Sequence, residues 1–447
     1  IREAIRRGEG VTALTGCVDS QKLHMIYGLG DGFRIKVIVT YSDLKAKEIF
    51  EEYKFYDRNV MLYPAKDLIF FQADIHGNQL VKERVKVLRR IMERKPVTIV
   101  TTYAALMSPQ VMWDADRDVI DVYKGSTLEE SALSRRLVDM GYEKSYQVES
   151  PGQFSVRGGI IDIFDLTEEN PYRIELWGDE VESIRSFDIL SQRSIENLEG
   201  VSVFPATEFV LEEERIRAGV KKLEAESAKQ QKIFRDAFQT EEAHRIATQV
   251  KELKEQLLEC KAKVNLEGYI RYFYEDTMTL PELLVRIARG GPVPGEGSGQ
   301  AVGGATGAAG GKQTVGGAPG AAGGRLNRGG RAAAGNAGPV YFIDEPNRVK
   351  EQADAIELEF SESMRQRAEK GYILPGQMNV LYSGEQVAAN LLKGSVVTLS
   401  TMEAKGYFKP DRKMDVAARN VAPYNNSFEA LVRDLKMFRR NGYRVLL

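Results

Sequence analysis

The sequence predicts an α/β protein: a parallel-sheet domain interrupted by a small α/β hairpin module, with the start of a further small α/β domain near its end. Three observations predict it. Apolar runs at Val11–Thr15, Ile35–Thr40, Val60–Tyr63 and Val97–Thr102 alternate with charged helical segments, the pattern of parallel strands covered by crossover helices. From about Val119 the hydrophobic period shortens to two, with turn residues every few positions. A buried-strand pattern then returns in VYFIDEP, from Val340, and again at 396–401.

Bulk properties bound the classes. The 447 residues allow roughly two to four domains. A hydrophobic content of 43%, 28% charged residues and a net charge of −2 describe an ordinary globular chain. That balance gives no argument for a nucleic-acid or membrane surface. Cys17 and Cys260 are too few and too far apart for a disulfide scaffold or zinc site, so a reducing compartment is expected. No apolar run approaches the ~20 residues of a membrane span. The chain opens inside a helical segment, IREAIRRG, and closes on GYRVLL, half of a strand; a fragment of a longer protein is expected.

The first strand runs into TGCVDSQKLHMIYGL, a turn opening a helix. A phosphate-binding loop of the form Gly-x4-Gly-Lys-Ser/Thr would sit here. Gly16 and Lys22 hold the first glycine and the lysine, but Gln21 stands at the second glycine and Leu23 at the Mg²⁺-binding hydroxyl. The loop needs small residues so that backbone N–H groups can close round phosphate, and an oxygen for the metal. Gln crowds the first requirement and Leu cannot meet the second, so the spacing predicts a retained scaffold with a dead nucleotide site.

A charged helix over Asp43–Tyr53 follows the second strand. The loop 64–78 carries Phe70, Phe71 and His76, the last a loop residue rather than a ligand. A basic amphipathic helix over 79–95 turns Leu80, Val87, Leu88 and Ile91 inward and stops at Pro96.

A helix over 127–140, with Gly141 as its C-cap, precedes the hairpins. Gln153–Arg157 turns through Gly158-Gly159 into a strand at 160–164, and Tyr172–Trp177 turns through Gly178-Asp179 into Glu180–Phe187. The period of two sets Tyr172, Ile174 and Leu176 on one face and Arg173, Glu175 and Trp177 on the other. It parts Phe154 and Val156 from Gln153, Ser155 and Arg157 likewise. If the aliphatic face makes the core, Trp177 is left near two arginines, either to be covered by this chain or to meet a partner.

Residues 212–264 read as a helical arm packed on the sheet domain, with Ile246, Val250, Leu253 and Leu257 as its stripe, and 268–284 as an aromatic helix. The Gly/Ala-rich stretch 290–338 has almost no apolar area to offset ordering entropy and is expected to be disordered. Its Arg325, Arg328 and Arg331 either touch nucleic acid or merely decorate a flexible insertion. Asp344-Glu345 closes the VYFIDEP strand as the second nucleotide motif of helicase-type ATPases begins; a helix over 347–370 follows. A new unit is expected from Asp415, with a helix over 427–441 and a strand over 443–447.

Together, YPAKDLIFFQADIHGN, TIVTTYAAL, VESPGQFSVRGGIIDIF, PYRIELWGDEVESIRSFDILSQRS, LEGYIRYFYEDTMTLPELL and VYFIDEP resemble, in that order, the amino-terminal part of bacterial transcription-repair coupling factors. The resemblance implies a nucleotidase-like domain akin to the excinuclease B subunit (UvrB), without a functional ATP site. It is interrupted by a module that binds the excinuclease A subunit (UvrA) through Arg157, Arg173 and Trp177. The implied boundaries are 1–118, 206–289 and 339–412 for the nucleotidase-like domain, the middle stretch including the arm. The module takes 119–205, the insertion 290–338 and a truncated further domain 413–447. In such a family the ATP- and Mg²⁺-dependent double-stranded DNA translocase and the RNA polymerase contact lie elsewhere, in a cytoplasmic bacterial protein. The alternatives are a DNA-remodelling ATPase or an excinuclease B-like DNA-binding protein.

Overall fold

The computed structural model describes residues 1–8, 10–66, 77–260, 266–290, 338–403, 406–416, 424 and 427–444. Phe70, Phe71, His76, the three arginines of the Gly/Ala stretch and 445–447 lie outside the described residues.

After a short helix α1 (Arg2–Arg6), the chain alternates β1 (Val11–Thr15), α2 (Asp19–Gly30), β2 (Ile35–Thr40), α3 (Asp43–Tyr53), β3 (Val60–Tyr63), α4 (Gly77–Met92), β4 (Val97–Thr102) and α5 (Tyr103–Met107). The inserted module holds β5 (Ile120–Tyr123), α6 (Glu130–Asp139), β6 (Glu143–Lys144), β7 (Gln153–Arg157), β8 (Ile160–Ile163), β9 (Tyr172–Trp177), β10 (Glu180–Phe187), β11 (Ser194–Leu198) and β12 (Gly200–Val203). The helices α7 (Glu213–Asp236), α8 (Thr240–Glu255), α9 (Ile270–Phe273) and α10 (Leu280–Ala288) follow. Last come β13 (Val340–Asp344), α11 (Pro346–Glu369), α12 (Gly384–Leu391), β14 (Ser395–Leu399), β15 (Arg412–Asp415) and α13 (Phe428–Arg440).

Seven strands form one parallel sheet in the order β15-β1-β14-β13-β2-β4-β3. Successive side chains point to opposite faces, and both faces are buried. Leu14, Ile38, Phe342 and Val397 pack beneath α2 and α3, whereas Val37, Val39, Tyr341 and Ile343 join the core on the other side. Burying each such aliphatic side chain contributes about 1.5–3 kcal/mol before ordering entropy is subtracted. The seventh strand, Arg412–Asp415, pairs in parallel with β1, Thr12 opposite Arg412. A boundary at 413 would fall inside that strand. Helix α13, beyond it, buries no residue.

The module closes on itself. Its entering and leaving strands pair antiparallel, Ile120 opposite Val203, so it inserts without separating the ends of its host. Between them a six-stranded sheet runs β11-β10-β9-β8-β7-β6. Gly158 and Gly159 turn β7 into β8 with φ of 59° and 83°, angles that cost an L-residue strain. The inner face, Phe154, Ile161, Ile163, Ile174 and Ile184, is fully buried and packs with Leu133 and Leu137 of α6. Helix α4 ties module to host. Arg89 reaches Glu168 at 2.6 Å and Asp165 at 3.4 Å, and fully buried Arg84 grips Glu208 through Nε at 2.9 and 3.0 Å.

The arm differs from a single helix through 212–264. It folds back at Ala237–Gln239, and α8 packs on α7, with Ile246, Val250, Leu253 and Leu257 buried beside Val220, Leu223 and Phe234. Phe238 adopts the left-handed conformation at φ 60°, and the N–H groups of Phe238 and Gln239 return to the carbonyls of Arg235 and Phe234. A helix usually makes this ending on glycine; without one, the sequence carries no stop signal. The aromatic stretch 268–284 is also broken, because Thr279 caps a new helix, accepting from the Glu282 N–H, and Pro281 sits in its first turn.

Candidate docking face and degenerate nucleotide site

The expected remnants of a nucleotide site do converge. Lys22 projects from the first turns of α2 and is 4% exposed. Its ammonium donates to Asp344 Oδ1 at 2.8 Å and Glu345 Oε1 at 2.6 Å, with Asp19 Oδ1 at 3.2 Å. Three carboxylates therefore face its three N–H groups. The other oxygen of Asp344 accepts from the Thr40 hydroxyl at 3.0 Å, and Glu345 Oε1 also accepts from the Thr401 N–H and hydroxyl at 3.0 and 2.7 Å. Glu345 holds φ at 49° to start α11.

The loop itself is turned inward on protein. The Cys17 N–H, which would face a phosphate, donates to the Ser400 carbonyl at 3.1 Å. Gly16 has φ 72°, and a Cβ there would meet the Val416 carbonyl at 2.6 Å. Leu23 is buried at 5% exposure, and the Gln21 Oε1 is buried without a hydrogen-bond partner among the described residues. Four carboxylates (Asp19, Glu48, Glu52 and Asp344) and two lysines (Lys22 and Lys45) line the adjoining cavity of about 340 Å³. Carboxylates thus outnumber lysines in its wall.

Burial alone would push the Lys22 ammonium down, but Asp344 and Glu345 outweigh it and hold its pKa above the usual lysine value. Burial would likewise raise the Glu345 carboxyl; the Lys22 and Thr401 donors outweigh it and keep it below the ordinary range. Lysine and carboxylates thus saturate one another.

The second candidate lies on the outer face of the six-stranded sheet. Register sets Ser155, Asp162, Arg173 and Arg185 in one cross-strand row and Arg157, Ile160, Glu175 and Ser183 in the next. Trp177 stands one pair further, opposite Glu180, and its side chain is open to solvent: the residue is 80% exposed. Among the described residues, none covers the indole.

The two arginines differ. Arg173 is clamped, with Nε to Asp162 Oδ1 at 2.6 Å, an amino group to Oδ2 at 2.8 Å and to Gln192 at 2.9 Å, its guanidinium 4.2 Å from the Phe187 ring centre. The hydrogen bonds to Asp162 raise its pKa further, against the desolvation that lowers it. Arg157 makes one long contact to Asp162, at 3.4 Å, and its side chain is 38% exposed. Asp162, 1% exposed, was missed by sequence reasoning. Its signal was its parity: it faces outward on β8 directly between Ser155 and Arg173.

Arg173 therefore serves the fold as well as the face. Arg173→Ala would leave a buried carboxylate on one long contact. It is expected to lower stability by about 1–3 kcal/mol, read from the denaturant midpoint at constant slope.

The hairpin module set into the parallel nucleotidase-like sheet carries an exposed aromatic and arginines on its outer face, and its residues 120–209 match the UvrB interaction domain family. The chain resembles the amino-terminal, UvrB-like region of a transcription-repair coupling factor. It is 37% identical over 227 residues to the transcription-repair-coupling factor of Bacillus subtilis, covering 50% of this chain and 19% of that protein. With its Staphylococcus aureus (strain Mu50) counterpart it shares 32% over 216 residues, 47% of this chain and 18% of the other. To UvrABC system protein B of Fervidobacterium nodosum it is 29% identical over 239 residues, 52% of this chain and 36% of the relative. The chain therefore spans between about a fifth and about a third of the length of these relatives. Among the described residues no helix is long and apolar enough to cross a membrane, and no cluster of metal-ligating side chains occurs.

Proposed function

We propose that this chain recruits the excinuclease A subunit (UvrA) through the outer sheet face centred on Trp177, and performs no nucleotide chemistry of its own. The observation that carries the reading is an indole left 80% exposed on a UvrB interaction domain. A large exposed aromatic on a face that also carries arginine is the composition of interface hot spots. In this reading the chain works within a bacterial cytoplasmic coupling factor. Other parts of that protein displace stalled RNA polymerase and translocate on double-stranded DNA with ATP and Mg²⁺; these residues supply the link to excision repair.

Titration of purified UvrA with the chain tests the docking half; no saturable binding would overturn it. The nucleotide half predicts no Mg²⁺-dependent ATP turnover and no saturable ATP binding, because Lys22 and Asp344 are tied to one another and Leu23 offers no oxygen. Turnover by the purified chain, abolished in Lys22→Ala, would restore the enzymatic alternative.

A further inference from the structure

We propose that Tyr146 is a further anchor of this face, and that Tyr146 and Arg157 together receive a carboxylate of the excinuclease A subunit. The proposal rests on the docking reading above and names the chemistry of one contact within it.

Tyr146 lies just beyond β6, the strand paired with β7 on its open side. The Ser145 N–H donates to the Phe154 carbonyl at 2.8 Å, and the Ser145 hydroxyl to the Gln147 carbonyl at 2.8 Å. These bonds hold the chain beside β7 while it turns, and deliver the phenol ring over Arg157. The guanidinium lies 5.5 Å from the ring centre, and Tyr146 is 83% exposed. Two exposed aromatics, Tyr146 and Trp177, therefore belong to one surface, set on either side of the Arg157 strand and its neighbour β8.

Ion pairing separates the three arginines of this face. Arg185 is neutralised by Glu175 at 2.5 Å. Arg157 and Arg173 share the single carboxylate of Asp162, and Arg173 holds both of its oxygens at short range. Arg157 is thus left with only its 3.4 Å contact to Asp162, while the further carboxylate of this face, Glu180, stands opposite Trp177. A guanidinium already seated on an aromatic ring gains strength as water leaves, and its free N–H groups suit a carboxylate. Tyrosine adds contact area with little side-chain entropy to lose. The complementary group on the partner is thus an acidic side chain flanked by apolar surface.

The test is a titration of excinuclease A subunit against the parent chain and variants, each checked for an unchanged unfolding midpoint. Tyr146→Ala is expected to weaken binding about 10-fold, while Tyr146→Phe, which keeps the ring, stays close to the parent. Arg157→Ala is expected to flatten the salt dependence, and adding Tyr146→Ala to it should cost much less than Tyr146→Ala alone, because the two act on one contact. Full-strength binding by Tyr146→Ala, with Trp177→Ala still disruptive, overturns this proposal and leaves the docking reading standing. Unchanged binding by Trp177→Ala overturns the docking reading itself.

Discussion

Trp177→Ala weakens binding of the excinuclease A subunit by about 30-fold or more, corresponding to ~2 kcal/mol, and leaves the folded state untouched. The second half of that expectation follows from exposure. At 80% exposed, the indole contributes little buried area to this chain, so its removal opens no cavity. The first half follows from placement. The hairpin turn at Gly178, with φ 61°, sets Trp177 at the rim of a sheet whose inner face is fully buried, so the ring is presented by a rigid strand. Trp177→Phe should retain much of the affinity, since ring contact rather than the indole N–H is the expected source. Loss of binding accompanied by a lowered unfolding midpoint would instead place Trp177 in the fold.

Lys22→Ala destabilises the chain by about 3 kcal/mol. The lysine holds three carboxylates together. Asp344 is 3% exposed, and without Lys22 its charge would rest on the Thr40 hydroxyl alone. Glu345 retains Thr401, and its side chain is 19% exposed, which moderates the loss. A double substitution, Lys22→Met with Asp344→Leu, should be less harmful than Lys22→Ala, because no buried charge is orphaned. Urea unfolding compares them; a parent-like midpoint for Lys22→Ala would disprove the assignment.

The linked groups also set a pH window. Glu345 is depressed when folded, so its stabilisation is complete above its unfolded value near 4.5 and vanishes as pH falls through the lower folded value. Lys22 is elevated, so its share is complete below its unfolded value near 10.5 and is lost only as pH rises beyond, through the folded value. Stability from this cluster should therefore be level between about pH 5 and 10 and fall on the acid side first.

Much of the fold was legible because its signals are local. The strand at Ile35–Thr40 is a continuous apolar run, and Tyr172–Trp177 carries its own period of two with Gly178 marking its turn. The arm hid its fold-back because Phe238 occupies a position where glycine would have announced it. The edge strand Arg412–Asp415 was missed for a different reason. All four residues are exposed, so it bears no buried pattern, and its pairing with β1 spans some four hundred residues of sequence.

By itself the sequence determined which side chains share a face of each strand, and that the nucleotide loop has no hydroxyl at Leu23 and no second glycine at Gln21. Both follow from covalent facts: alternation is built into an extended backbone, and a missing oxygen cannot be supplied by folding. Only the tertiary structure decided how the charges are shared. Asp162 commits to Arg173 and leaves Arg157 one long contact, while Lys22 finds two of its three partners more than three hundred residues away. Ion pairing depends on distance and burial in three dimensions, and neither is encoded in the spacing of residues along the chain.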